Sequence, residues 1–142
     1  MADRLVLDTS VIIKWFRHGE VHAEHALSLR SAYLDGQAQV AVPTLLAYEL
    51  ANVLRYKADL TTAQVEDSVQ SLFDMGLEWV PPSVGMIRRA VVIARDFDAT
   101  VYDATFASLA EAWDATLVTA DKRLVSLLQS LAYVRFLGEY ER

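Results

Sequence analysis

Leu5-Val6-Leu7-Asp8-Thr9-Ser10 is the stretch of sequence that decides the fold. Its three consecutive apolar residues are typical of a strand covered on both faces, as in a parallel sheet. Asp8, Thr9 and Ser10 then supply side chains that favour the start of a helix. A buried strand followed at once by a helix is the repeating unit of α/β proteins, and Asp8 stands where the two elements meet.

The rest of the chain repeats this alternation of strands and helices. Apolar patterning predicts further strands over 40–42, 77–80, 116–119 and 133–136, and helices over 11–16, 22–35, 45–57, 62–75, 84–95, 101–113 and 122–128. Thr61 and Gln64 form a capping box, and Gly36 and Gly76 end their helices. We therefore predict an α/β fold, a three-layer α/β/α arrangement with a mainly parallel central sheet, as a single domain over 1–142.

Composition limits the classes of function. The 142 residues are 54% hydrophobic and 23% charged, as in an ordered globular protein. The net charge of -6 argues against binding nucleic acid by charge alone, although site carboxylates that hold divalent cations would contribute to that total. Because there is no cysteine, disulfides, thiolate metal sites and a cysteine nucleophile are excluded. No apolar stretch approaches the roughly 20 residues of a membrane span, and we expect a cytoplasmic protein.

Four carboxylates occupy positions where their apolar neighbours predict burial. Asp8 and Asp121 end apolar strand runs, whereas Glu49 and Asp103 share helical faces with core-directed residues. An unpaired buried carboxylate is costly, and ligands of such folds bind at the carboxyl ends of the strands. We expect the four acids to converge on one pocket, where a shared cation is the economical explanation.

Each acid also has a structural explanation when it is taken alone. Asp8 and Asp121 are suited to cap helices, Asp103 would complement a helix dipole from the first turn, and Glu49 would extend its carboxylate to a helix boundary. The joint placement of all four at one end of the sheet favours a site. Ligation by oxygen alone selects Mg²⁺ or Mn²⁺ over zinc.

Other constellations that would carry chemistry are weak or missing. We interpret His18, His22 and His25 as solvated surface residues of a polar segment, not as metal ligands. The sequence has no plausible Ser-His-Asp set, no glycine-rich phosphate loop and no Asp-x-Asp pair near the first strand.

Four segments, in chain order, resemble those of a known family. They are Leu7-Asp8-Thr9-Ser10, Pro43 with Tyr48-Glu49-Leu50-Ala51-Asn52-Val53-Leu54, Tyr102-Asp103-Ala104, and Thr119-Ala120-Asp121. Together they resemble the PIN-domain ribonucleases, particularly VapC-type toxins of toxin-antitoxin pairs, over essentially the whole chain. The resemblance implies one PIN-like domain in which Asp8, Glu49, Asp103 and Asp121 are the catalytic acids that bind Mg²⁺ or Mn²⁺. It also implies that Ser10 and Thr119 are supporting hydroxyls that orient metal or water.

The resemblance implies a metal-dependent endoribonuclease that hydrolyses RNA phosphodiester bonds. Lys14, Arg17, Lys122 and Arg123 lie near the motifs, either as contacts to RNA phosphates or as solvated surface charge. Two alternatives stay open. A phosphatase-like Mg-binding α/β protein would usually carry an Asp-x-Asp pair, and a non-catalytic interaction module would need none of the acids.

The helices over 45–57 and 61–75 predict a surplus of apolar surface. The aromatic residues that contribute to it are Trp15, Phe16, Tyr48, Tyr56 and Phe73. Because such a surplus is typical of interfaces, we expect a homodimer. The resemblance adds a small VapB-like antitoxin that covers this surface. No motif in the sequence names the RNA target.

Overall fold

The computed structural model describes residues 2–17 and 19–142. These residues form the strands β1 (Asp3–Leu7), β2 (Ala38–Pro43), β3 (Glu78–Val80), β4 (Thr116–Thr119) and β5 (Val134–Phe136). Their α-helices are α1 (Thr9–Ile12), α2 (Ala23–Leu34), α3 (Leu45–Arg55), α4 (Thr62–Asp74), α5 (Val84–Phe97), α6 (Val101–Trp113) and α7 (Lys122–Leu127). Short 3₁₀ turns cover Ile13–Trp15 and Leu137–Glu139.

The strands form one sheet in the order β3-β2-β1-β4-β5, and each pair of neighbours is parallel. From β1 the chain moves outward through β2 and β3, then returns to the other side of β1 for β4 and β5. The strand order therefore reverses between β1 and β4, which is where parallel α/β sheets open a crevice beyond the carboxyl ends of their strands. Helices flank this sheet, so the predicted three-layer α/β/α fold is confirmed.

The core lies on both faces of the central strands. Leu5, Val6 and Leu7 of β1 are fully buried, which confirms the interpretation of this apolar run as a doubly covered strand. Helix α3 buries Leu46 and Leu50, which are one turn apart and therefore share a face. Among the described residues, no helix combines the length and the apolar composition that crossing a membrane requires.

Local capping explains where several helices begin and end. Thr61 accepts the N–H of Gln64, and the Gln64 side chain accepts the N–H of Thr61, as the predicted capping box requires. The Ser83 hydroxyl accepts the N–H of Met86 and starts α5. Gly36 and Gly76 follow α2 and α4 with φ of +76° and +71°, a left-handed conformation that glycine adopts without strain.

The first helix differs from its prediction. It begins at Thr9 because Asp8 caps it there, and after Ile12 it tightens into the 3₁₀ turn. Trp15 in this turn is buried, and its indole N–H donates to the carbonyl of Ala26 at 2.8 Å. Its assignment to the surplus aromatic surface was therefore wrong, since the side chain completes the core. Tyr48, Tyr56 and Phe73 are exposed, and Phe16 is partly buried.

Candidate metal and nucleic-acid site

The four acids come from four separate elements and line one cavity of about 360 Å³. Asp8 follows β1 directly, and Asp121 lies just beyond β4 at the start of α7. Glu49 projects from α3 and Asp103 from the first turn of α6. The remaining lining residues are Thr9, Ser10, Ile13, Asn52 and Val53. The cavity therefore lies at the carboxyl edge of the sheet, where the strand order reverses.

Asp8 is the most deeply placed of the acids and is held by three donors. Its Oδ1 accepts the N–H of Thr9 at 2.8 Å, and its Oδ2 accepts the hydroxyls of Ser10 at 2.8 Å and Thr119 at 2.7 Å. Burial raises the pKa of Asp8, these hydrogen bonds lower it, and the charge of Asp103 raises it further; the net direction is upward. The carboxylate therefore has one fixed orientation.

Ser10 and Thr119 connect the two strand ends. The Ser10 hydroxyl accepts the N–H of Ala120 at 2.9 Å, and the Thr119 hydroxyl accepts the N–H of Asp121 at 3.1 Å. Ser10 lines the cavity, whereas Thr119 is fully buried behind Asp8. Thr119 contacts the Asp8 carboxylate, and the role of Ser10 and Thr119 in helping to orient metal or water stays a prediction.

Glu49 is oriented by Thr9, a residue that sequence reasoning missed. The Thr9 hydroxyl donates to Oε1 of Glu49 at 2.7 Å, across forty positions of sequence. Burial raises the pKa of Glu49, the Thr9 hydrogen bond lowers it, and the charges of Asp8 and Asp103 raise it; it lies above its usual value. Nothing local in the sequence points to this pair.

Asn52 is a second lining residue that sequence reasoning did not select. It follows Glu49 by three positions on α3, so the two side chains lie on the same side of the helix. The helical spacing from Glu49 is the signal that would have found it.

Asp103 and Asp121 complete the acidic wall. Burial raises the pKa of Asp103, and the nearby charge of Asp121 raises it further, while Thr100 and the charge of Arg123 act in the opposite direction. Oδ1 of Asp121 accepts the N–H groups of Arg123 and Leu124 at 3.0 and 3.2 Å. Asp121 is therefore a helix cap and a cavity residue at once, so these two interpretations do not exclude each other.

The donor chemistry of the cavity fits a hard divalent cation. Its polar side chains offer carboxylate, hydroxyl and amide oxygens, which are the ligands of Mg²⁺ and Mn²⁺. Within 2–17 and 19–142, no group of three or more His, Asp or Glu side chains is already drawn together closely enough to hold one ion. The acids line the cavity, and their roles as ligands and catalytic groups stay predictions.

The basic residues near the motifs do not line the cavity. Arg17 pairs with Glu20 at 2.8 Å and with Asp59 at 3.1 Å. The Lys122 ammonium lies 5.7 Å from the centre of the Phe136 ring. Of the four cations considered from sequence, Arg123 has a charge that lowers the pKa of Asp103.

The histidines are packed more closely than predicted. His22 meets the rings of His25 and Phe136 edge-to-face, with centroid distances of 5.4 and 5.5 Å. Both histidines are partly buried, and the His25 side chain keeps 38% of its surface exposed, so they are surface residues packed against their neighbours. His18 lies outside the described residues.

Comparison with known proteins identifies the fold family. The family model of the PIN domain matches residues 5–127, a range that contains all four acids. No curated protein matches this sequence.

Solved structures share the fold at low sequence identity. A chain of a toxin-antitoxin complex from Klebsiella pneumoniae is 16% identical with a TM-score of 0.69, covering 97% of this chain and 99% of that one. A chain of VapBC2 from Rickettsia felis, bound to a DNA fragment from their promoter, is 15% identical with a TM-score of 0.68, covering 94% and 96%. VapC20 from Mycobacterium tuberculosis, described as a Sarcin-Ricin loop cleaving toxin, is 11% identical with a TM-score of 0.67, covering 86% and 93%.

The family match spans most of the chain, and the fold agrees with that of the Klebsiella pneumoniae structure over nearly the full length of both chains. The chain belongs to the PIN-domain family, as its four acidic motifs predicted.

Proposed function

We propose that this chain is a Mg²⁺- or Mn²⁺-dependent endoribonuclease and the toxin of a toxin-antitoxin pair. The observation that carries the proposal is the convergence of Asp8, Glu49, Asp103 and Asp121 on one cavity at the reversal point of the sheet. Membership of the PIN-domain family supports it. So does the likeness in fold to VapC20, which is described as a Sarcin-Ricin loop cleaving toxin.

In this proposal the four carboxylates hold the cation and orient the reacting water. A divalent cation bound there supplies positive charge for the phosphate and lowers the pKa of a water molecule. The Asp8 carboxylate is oriented by its three hydrogen-bond donors, and the Glu49 carboxylate is oriented by the hydroxyl of Thr9. Asp103 and Asp121 add negative charge to the same cavity. The products are two RNA fragments, because water adds across one phosphorus–oxygen bond.

The test is cleavage of a mixed pool of end-labelled single-stranded RNA by the purified chain. We expect fragments with millimolar Mn²⁺ or Mg²⁺ and none with EDTA, and we expect Asp103→Asn to remove the activity. A parallel assay with p-nitrophenyl phosphate tests the phosphatase-like alternative. Release of nitrophenol without RNA cleavage would favour that alternative, and inactivity in both assays would favour the interaction module.

We further propose that a small VapB-like antitoxin binds this chain in the cytoplasm. The solved structures of similar fold include a toxin-antitoxin complex and VapBC2. Helix α4 offers a surface for such a partner, because Leu72 is the residue that it buries and most of its other residues face outward. On this surface the exposed Phe73 stacks on Trp79, with ring centroids 4.9 Å apart. Expression of the chain alone should arrest bacterial growth, and co-expression of the adjacent small open reading frame should relieve the arrest. Growth unaffected by the active chain would contradict the toxin assignment but leave the ribonuclease standing.

A homodimer also remains part of the proposal, and helix α5 supports it. Val84, Val91 and Val92 of this helix are exposed, and sequence reasoning did not select them. Exposed aliphatic side chains on one helix are suited to pack against a second copy of the same helix.

A further inference from the structure

Two exposed tyrosines flank the acidic cavity. Tyr48 directly precedes Glu49 on α3, and Tyr102 directly precedes Asp103 on α6. Their side chains are 78% and 62% exposed, respectively. Although they are more than fifty positions apart in sequence, both line one surface hollow of about 470 Å³.

This hollow adjoins the acidic cavity. Glu49 and Asn52 line both spaces, so they form the boundary between the tyrosines and the acids. An RNA strand held at the acids would therefore pass close to the two tyrosines.

The residues that line the two spaces limit the kinds of contact that they offer to RNA. No Lys or Arg among the described residues lines either the cavity or the hollow, so beyond the proposed cation neither space offers a positive charge to an RNA strand. Contacts to RNA in the hollow are therefore uncharged ones. Stacking of bases on aromatic rings is such a contact, and it accepts any base because every base has a π-face.

We propose that Tyr48 and Tyr102 form a base-binding subsite, which stacks a nucleobase of single-stranded RNA next to the phosphodiester held at the acids. The proposal rests on the ribonuclease function proposed above. The tyrosines also border an apolar groove that includes Pro43, Val80 and Met86, where a protein chain would fit. The nucleotide is favoured over a protein chain because the hollow shares Glu49 and the polar Asn52 with the acidic cavity. The experiments below distinguish the two occupants.

The first test measures RNA affinity separately from catalysis. An RNA from the pool that the wild type cleaves, with its cleavage position mapped, is labelled with fluorescein and titrated with Asp103→Asn protein in Mn²⁺. Adding Tyr48→Ala or Tyr102→Ala should raise the Kd about tenfold each, and in the active chain should raise KM more than it lowers kcat. Phenylalanine at either position should restore the wild-type values, because it keeps the ring.

Tyr56→Ala is the matched control. Tyr56 follows α3 and is 70% exposed, but it lines neither the hollow nor the cavity, and its ring lies 4.2 Å from the Arg55 guanidinium. Its removal should leave Kd and KM unchanged. Melting temperatures and light-scattering masses of all variants show whether any loss comes from unfolding or from a changed assembly.

The second test locates the base. Abasic nucleotides replace the residues beside the mapped cleavage position one at a time. At the stacked position, removal of the base should lower the affinity of the wild type about tenfold. The same removal should lower the affinity of Tyr48→Ala or Tyr102→Ala protein only slightly, because these variants have already lost the stacking contact. Equal losses in the wild type and in both tyrosine variants at every position would overturn the subsite.

The remaining outcomes separate this proposal from the function on which it rests. Unchanged Kd and KM in both alanine variants, with RNA still cleaved, would refute the subsite alone. A changed oligomeric mass with unchanged RNA affinity would also refute it and would assign the tyrosines to a protein interface. Failure of the wild type to cleave or bind RNA would refute both proposals together.

Discussion

The carboxylate of Asp8 accepts three hydrogen bonds, from the N–H of Thr9 and the hydroxyls of Ser10 and Thr119, which leaves a lone pair of Oδ1 for a cation. An amide at this position would present an N–H₂ group to at least one of these donors and leave a buried hydrogen bond unmade. Asp8→Asn is therefore expected to lower stability as well as activity. Asp103 also has a raised pKa, but fewer hydrogen-bond donors hold its carboxylate. It is therefore the better residue at which to separate the effect on activity from the effect on stability.

Asp103→Asn should abolish cleavage and stabilise the metal-free protein. We expect RNA cleavage to fall at least about a hundredfold. Because the pKa of Asp103 is raised in the folded state, ionisation costs stability as pH rises from its unfolded pKa through the folded one. At neutral pH the neutral amide removes this cost, about 0.5 kcal/mol for a partly exposed group, or roughly 2 °C in Tm.

Thermal scans with EDTA and the RNA assay check this prediction. Asp98→Asn is the matched control, because Asp98 is exposed at the end of α5 with φ of 57°, a conformation that asparagine tolerates. It should change neither quantity. Full activity in Asp103→Asn would remove Asp103 from the catalytic set.

Glu49→Gln should weaken the response to metal. A cation that binds only the folded state raises Tm by about 5 to 10 °C at a hundredfold excess over Kd. Loss of one carboxylate lowers the affinity, so the midpoint of Tm against Mn²⁺ concentration should move to higher concentration. Glu66→Gln on the exposed face of α4 should leave the midpoint in place. If Mn²⁺ fails to raise the Tm of the wild type, the cavity does not hold a cation.

Helices α5 and α6 are joined outside the site by one ion-pair network. Arg89 on α5 donates to both carboxylate oxygens of Glu111 on α6, at 2.7 and 3.0 Å, and the Tyr133 hydroxyl donates to the same carboxylate. The Arg89 guanidinium, aided by the Tyr133 hydroxyl, holds the pKa of Glu111 below its usual range despite partial burial. This network also ties the segment before β5 to the helical layer.

Glu111→Gln should therefore destabilise the protein in a pH-dependent way. A lowered folded pKa gives stability that is present above the unfolded value of about 4.3 and is lost as pH falls through the folded value. We expect a loss of about 1 kcal/mol at pH 7, since the pair is partly exposed, and a smaller difference near pH 3.5. Urea unfolding at both pH values measures it, with Glu66→Gln as control. A difference that grows toward low pH would contradict this assignment.

The whole molecule leaves an apolar surface on α5 uncovered. Val84 and Val91 are seven positions apart, about two turns, so they lie on one side of the helix. We expect light scattering to give the mass of a homodimer and Val91→Asp to give a monomer, because an interface would have to bury the new charge. Val21→Asp, at an exposed valine outside α5, should stay dimeric. A monomeric wild type would exclude the dimer.

The sequence by itself determined the elements and the fold class. Runs such as Leu5-Val6-Leu7 are apolar at every position because both faces of the strand are covered, and alternation with helices then requires parallel strands. Capping at Thr61 and Ser83 set helix starts through contacts within four residues. The four acids were predictable because a carboxylate among apolar neighbours is an exception that local sequence displays.

The contacts between elements were decided only by the tertiary structure. Thr9 reaches Glu49 across forty positions, Thr119 reaches Asp8 across 111, and Tyr48 shares a hollow with Tyr102. Trp15 went into the core although its sequence context favoured a surface. Periodicity reports which face of one element is buried, but which side chains meet depends on how the helices pack over the sheet and how the strands are ordered within it.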